Sequence, residues 1–255
     1  MLYFIMLCLG ILSVSIFMIL RITKGGLVAM FAKKTASVFF VLSALGALIT
    51  VAISEGSLPF QSLIFGLLLI AGLVVGMLGD IFLDLRYVYL NKDLADSRFY
   101  TFAGFYSFGV GHIFYIGAVY FWLWCGGFTL ELKGISLWAG LLSVVAMVII
   151  LVTEKLLGLA YKAFKKAVLT YTFILTYMVA FSGLSYMTMR EAEYGQPLFM
   201  LFIGGIFFYV SDLILCQTYF GDASKGKPIY VVLNHLTYYS GQFLIASSLL
   251  WLSAL

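Results

Sequence analysis

Charge is what this chain has least of. Only 10% of its 255 residues are Asp, Glu, Lys or Arg, 64% belong to the apolar AVILMFWYC set, and mean hydropathy is +1.10. Soluble domains run to roughly 25% charged and 45–50% apolar, so a water-facing surface is excluded over most of the length. Proline is nearly absent. Pro59, Pro197 and Pro228 all fall between apolar runs, which speaks against proline-broken spans of the kind that build many transporter sites. Cysteine is scarce too: Cys8, Cys125 and Cys216 are odd in number and lack CxxC spacing, so neither a disulfide framework nor a zinc site is expected. His112 and His235 are the only histidines, and no lysine interrupts the middle of an apolar run, which leaves haem and retinal without their usual attachment residues. No cofactor or metal is expected. The net charge of +4 is scattered over several loops and forms no continuous footprint for nucleic acid.

What fills the chain is long apolar runs. A crossing of the ~30 Å hydrocarbon core takes about 20 residues, so residues 1–255 form a single integral membrane domain: an all-α bundle of about eight transmembrane helices. The spans lie near residues 2–20, 36–53, 62–83, 100–124, 135–152, 167–189, 198–217 and 229–252. The first run has no Lys or Arg before it and no small-residue cleavage site after it, and so reads as a span rather than a removed signal. Thirteen of the fifteen Lys and Arg residues fall in the odd-numbered loops, and only Lys133 and Arg190 in the even ones. Basic residues mark the cytoplasmic side, so both termini are expected outside a cytoplasmic membrane of bacterial type, with Glu55, Glu131, Glu191 and Glu193 in the outer loops.

Polar residues inside such spans are unfavourable by several kcal/mol and mark sites by default. In the third span Gly72, Gly76, Asp80 and Asp84 recur every four residues; in the seventh, Gly204, Phe208 and Asp212 do the same. Each set occupies one helical face, with Asp80 and Asp212 at similar depth. The fourth span lines Gly104, Phe108, His112 and Tyr115 on one face, and the eighth lines Asn234, Tyr238, Gly241 and Gln242. Asp80 precedes His112 by 32 residues and Asp212 precedes Gln242 by 30, with a Gly before the polar residue in both later strings. That register suggests a four-plus-four internal repeat, on thin identity.

The strings GDIFLD (79–84), FAGFYSFGVGHIFYI (102–116), FFYVSDLILCQTYF (207–220) and TYYSGQFLIASS (237–248) resemble the YhhN-like family of multi-pass membrane proteins, whose animal members are lysoplasmalogenases. The shared pattern is a Gly-Asp at a helix end, Phe-x3-His-x2-Tyr, a late Ser-Asp, and Tyr-Tyr-x2-Gln. The first two spans and the outer loops carry no such signature. The resemblance implies an eight-helix hydrolase that opens the vinyl ether bond of lysoplasmalogen, an alkenyl lysophospholipid drawn from the surrounding membrane lipid, to a fatty aldehyde and a glycerophospho head group. For that reaction the expected catalytic residues are Asp80 and Asp212, and the expected substrate contacts are Asp84, His112, Tyr115, Asn234, Tyr239 and Gln242. Oligomeric state is not implied.

The residues suit that chemistry on their own terms. Protonation of the vinyl ether β carbon leaves an oxocarbenium ion that water captures, so one acid and one base suffice, as in glycosidases. Asp80 and Asp212 supply two carboxyls, and the sequence leaves open which is the acid. Plainer roles stand beside these: both acids as structural partners of Tyr, His112 as an interhelical hydrogen bonder, Asp84 as a surface ion pair with Arg86, Asn234, Tyr239 and Gln242 as structural links, His235 as interfacial, and most Phe and Tyr as lipid-facing or belt residues. Three other functions compete. A proton- or ion-coupled transporter or channel also places acids and a His in a bundle; a prenyltransferase would need a second Asp-rich motif beyond Asp80 and Asp84; a non-enzymatic lipid-binding protein needs neither. Asp80, Asp212 and Asn234 all lie near the basic ends of their helices, so substrate is expected to enter there, with Arg86, Arg98, Lys225 and Lys227 flanking the mouth.

Overall fold

The computed structural model of the protein describes residues 1–90, 92–191, 195–221 and 227–252. Among these the chain forms eight α-helices and no strand: α1 Leu2–Thr23, α2 Gly26–Ser54, α3 Phe60–Tyr89, α4 Leu94–Cys125, α5 Thr129–Leu156, α6 Lys165–Met189, α7 Gln196–Phe220 and α8 Pro228–Ser247. Short 3-10 turns at Lys162–Phe164 and Ser248–Trp251 precede α6 and extend α8. Seven helices, α1 to α7, are long and apolar enough to cross a membrane, and the protein is an integral membrane helical bundle. The exception, α8, packs on α1, α2, α3 and α7, so neighbouring helices rather than lipid surround its Asn234, Tyr238 and Gln242.

Several helices outrun the apolar runs that announce them. The second begins at Gly26, ten residues before the expected start at Ala36; the third continues to Tyr89 rather than ending at Leu83. The fourth starts at Leu94 because the Asp93 side chain caps it, accepting from the Ala95 amide at 2.7 Å. Hydrophobicity reports where lipid lies, whereas the hydrogen-bonded ladder continues through the head-group zone; a 30-residue helix is ~45 Å long, near the full bilayer thickness. One consequence is that Lys33, Arg86 and Arg98 sit on helices and not in loops.

Consecutive helices form hairpins, and the hairpins interlock in matching ways: α2 packs on α3 and α6 on α7, while α4 packs on α6 and α8 on α2. Close backbone approaches hold the two central hairpins. A Cβ on Gly111 would lie 2.9 Å from the Gly72 carbonyl oxygen, and one on Gly241 only 2.7 Å from that of Gly204; small residues let helices touch where lipid gives no hydrophobic drive. Gly72, Gly76 and Asp80 stand 132 residues before Gly204, Phe208 and Asp212, and Phe108, Gly111 and His112 stand 130 before Tyr238, Gly241 and Gln242. The register seen in the sequence thus reappears in the packing.

Alternating chain direction brings the C-terminal ends of α1, α3, α5 and α7 beside the N-terminal ends of α2, α4, α6 and α8. Except for Lys133 and Arg190, the described basic residues gather at this end; Lys225 and Glu193 lie outside the described residues. The aromatic residues correct an expectation. Phe17, Phe40, Phe65, Phe108, Phe181 and Phe208 are among many that are buried inside the bundle, since a lipid-facing and a helix-facing ring look alike in a sequence when both surroundings are apolar.

Candidate active site at the basic end of the bundle

All four polar stripes turn inward. Asp80 and Asp84 on α3, Phe108 and His112 on α4, and Asn234, Tyr238 and Gln242 on α8 are buried, and Asp212 on α7 is half-buried. A cavity of 390 Å³ opens between them, lined by Asp80, Asp84, Asp212, Asn234 and Tyr238 and by three cations, Arg21, Lys33 and Arg86.

The two principal carboxyls occupy different surroundings. Asp80, 2% exposed, has every oxygen engaged: Lys33 Nζ stands 2.9 Å from Oδ1, while the Ser37 hydroxyl (2.6 Å) and the Tyr238 hydroxyl (2.7 Å) donate to Oδ2. Lys33 reaches it because α2 starts early, placing Lys33 and Ser37 one turn apart on the face toward α3. Asp84 extends the network. It takes Arg21 Nη2 on both oxygens, at 2.7 and 2.5 Å, with Lys33 Nζ 3.6 Å away. The expected pairing of Asp84 with Arg86 is therefore corrected: Asp84 is buried, α1 supplies its partner, and the Arg86 guanidinium lies over the Tyr219 ring at 3.7 Å instead.

Asp212 has no basic side chain within ion-pair distance among the described residues. Its partner is the Tyr171 hydroxyl, which donates to Oδ2. Tyr171 in turn lies 3.3 Å from His112 Nε2, and with the tyrosine hydrogen directed at Asp212, Nε2 is the donor. His112 Nδ1 then faces the interior without a partner. Beside Asp212 the polar cavity adjoins an apolar cleft of 60 Å³ walled by Phe105, Ile150, Val168 and Leu175; Leu83, Phe108, Asp212 and Leu215 line both.

Of the residues singled out in the sequence, Asp80, Asp84, Asp212 and Asn234 line the main cavity. His112, Tyr115, Tyr239 and Gln242 stand behind it. Gln242 Nε2 donates to Tyr238 Oη at 3.0 Å. Tyr239 Oη lies 3.2 Å from both Ser37 Oγ and the Lys33 carbonyl, and the Tyr115 ring packs against Gly72. Asn234 Nδ2 donates to the Ser211 carbonyl at 2.8 Å, tying α8 to α7 beside Asp212. His235 also lines the cavity rather than the membrane interface. Sequence reasoning missed Arg21, Lys33, Ser37 and Tyr171. The Lys33–Ser37 spacing was a usable signal, hidden by counting Lys33 as a loop charge; Tyr171 had none, being one tyrosine of 17. No group of three or more His, Cys, Asp or Glu suited to a metal occurs among the described residues.

The bundle and its cavity define a class: an integral membrane helical protein with a carboxyl-lined cavity between its helices. The model of the YhhN family matches residues 30–249, a stretch that contains every residue placed in or behind the cavity here except Arg21, and the chain belongs to the YhhN family. No curated protein and no solved structure matches it.

Proposed function

We propose that the protein is an intramembrane hydrolase that cleaves the vinyl ether bond of alkenyl lysophospholipids, giving a fatty aldehyde and a glycerophospho head group. The observation that carries this reading is the placement of two carboxyls in one cavity with opposite electrostatic surroundings. Glycosidase-type chemistry needs that division, one group to give a proton and one to stay an anion.

In the proposed cycle Asp212, the carboxyl without a cation beside it, donates its proton to the β carbon of the vinyl ether. Electron density from the ether oxygen forms the oxocarbenium ion, which faces the Asp80 anion held by Lys33. Water adds to the carbon bonded to oxygen, Asp80 takes its surplus proton, and a hemiacetal results. Collapse resets the site: Asp212 removes the hemiacetal hydroxyl proton as the C–O bond to glycerol breaks, and Asp80 returns its proton to the departing oxygen. One water is consumed, with no net change in protons. The apolar cleft that meets the cavity at Asp212 suits the first carbons of the alkenyl chain. Basic residues gathered at this end orient it to the cytoplasm and both termini outward, so substrate enters from the cytoplasmic leaflet.

Purified protein should release aldehyde from 1-alkenyl lysophospholipid with EDTA present. Proton flux in liposomes without aldehyde release would replace the hydrolase by a proton-coupled transporter or channel, which the His112–Tyr171–Asp212 chain would then serve. Lipid binding with neither would leave a binding protein.

A further inference from the structure

A third cavity, of 290 Å³, lies beside the carboxyl site at the basic end. Three separate elements bring cations to it: Arg86 from the last turns of α3, Arg98 from the start of α4, and Lys162 from the turn before α6. No carboxylate lines it among the described residues. The main cavity is different, because there Arg21 is paired with Asp84 and Lys33 with Asp80. Arg98 and Lys162 make no ion pair among the described residues, and Glu154, an acid at this end, is engaged by Lys165 at 2.8 Å. Three positive charges around one cavity repel each other unless an anion joins them.

Local structure holds the group in place. The Ala160 amide donates to the Phe220 carbonyl at 3.0 Å, and Tyr161, fully buried, lies with its hydroxyl 3.3 Å from Cys216 Sγ, so the loop before α6 is pinned across the end of α7. Lys162 follows with φ 46°, the one positive value among the described non-glycine residues, in a region that L side chains seldom adopt. Arg86 is fixed by its stacking on Tyr219, and Tyr219 lines all three cavities.

We propose that Arg86, Arg98 and Lys162 form an anion site for the phosphate of the lysophospholipid head group, an assignment that rests on the preceding reading for its ligand class. The spacing agrees. Arg86 follows Asp80 by six residues and Tyr219 follows Asp212 by seven, rises of about 9 and 10.5 Å along their helices. Seven bonds separate phosphorus from the vinyl ether β carbon, which at ~1.2 Å per bond in an extended chain spans about 8 Å. A phosphate here would leave the double bond beside the carboxyls and the hydrocarbon chain in the apolar cleft. Arginine and lysine are the usual donors to phosphate oxygens.

The test uses binding and not cleavage. A saturated 1-O-alkyl lysophosphatidylcholine, which has no vinyl ether to open, is compared with the 1-O-alkylglycerol of equal chain length on full-length protein in zwitterionic nanodiscs. Exchanging both exposed cations, Arg98→Gln with Lys162→Gln, should weaken the phospholipid by about tenfold to a hundredfold, as expected for lost charge-assisted bonds. Alkylglycerol affinity should stay unchanged, and the pair Arg98→Lys with Lys162→Arg should recover most of the loss. Equal loss for both ligands, or none for the phospholipid, would overturn the site. Glycerol 3-phosphate binding as tightly as the lipid, with the same sensitivity to the variants, would overturn the lipid assignment in favour of a free phosphate ester. Because the probe is uncleavable, failure of the hydrolase reading leaves this result standing, and failure here leaves aldehyde release untouched.

Discussion

The two halves of the bundle, α1 to α4 and α5 to α8, share a scaffold and differ in what fills it. Each has a glycine-to-glycine crossing, Gly72 with Gly111 and Gly204 with Gly241, and each carries a carboxyl eight residues beyond the first of those glycines. Each carboxyl accepts a hydroxyl from the helix before it, Ser37 for Asp80 and Tyr171 for Asp212. Beyond that the halves part. One turn before Ser37 stands Lys33, whereas one turn before Tyr171 stands Ala167; one turn after Asp80 stands Asp84 with its Arg21, whereas one turn after Asp212 stands Cys216. The first half is thus closed by buried ion pairs, and the second opens into an apolar cleft. The lesson is that a near-symmetric backbone makes two carboxyls equivalent in depth, and a few side chains make them unequal in chemistry.

Removing either carboxyl should have the largest effect. Asp80→Asn and Asp212→Asn should each lower the rate of vinyl ether cleavage by ~10²–10⁴-fold, the usual worth of a positioned acid or base, and the double variant should lose far less than the product because the two act together. Retention of more than a tenth of the turnover, a loss below ~10-fold, in a well-folded sample would end the two-carboxyl mechanism and make His112 the leading acid.

The asymmetry itself can be attacked next. Lys33→Met leaves the Asp80 charge buried without its partner and should destabilise the protein by about 3–5 kcal/mol, read as thermal unfolding in detergent. Adding Asp80→Asn should restore most of that stability without restoring aldehyde release. The converse experiment, Ala167→Lys, puts a lysine one turn before Tyr171, where Lys33 stands relative to Ser37, and should cost about a hundredfold in turnover of the folded fraction, since a carboxyl held as an anion cannot give a proton. Unchanged turnover would show that the missing cation is not what sets Asp212 apart.

Smaller effects sharpen the scaffold side of the comparison. His112→Gln reaches Asp212 only through Tyr171 and should lower turnover about tenfold to a hundredfold, the scale of an orienting partner. Gly111→Ala and Gly241→Ala push a methyl against a backbone oxygen, at 2.9 and 2.7 Å, and should each destabilise by about 1–3 kcal/mol. Gly76→Ala meets nothing nearer than Gln242 Nε2 at 3.5 Å and should be near neutral. Similar unfolding temperatures for all three would remove the close crossings as the reason for glycine.

Much was legible in the chain itself. The shortage of charge forced a membrane bundle, four-residue spacing put Gly72, Gly76, Asp80 and Asp84 on one face, and the unfavourable energy of a carboxyl in lipid singled out Asp80 and Asp212, because such terms depend on composition and local periodicity alone. Partners were not legible. That Lys33 belongs to Asp80, Arg21 to Asp84 and Tyr171 to Asp212 follows from which helices lie side by side, over separations of 41 to 63 residues, and hydropathy is silent on that because most of a membrane helix's surface is apolar whether it meets lipid or protein. Tertiary structure alone decided which carboxyl is locked and which is open, since the charge of a buried group depends on what stands within a few ångströms of it in space.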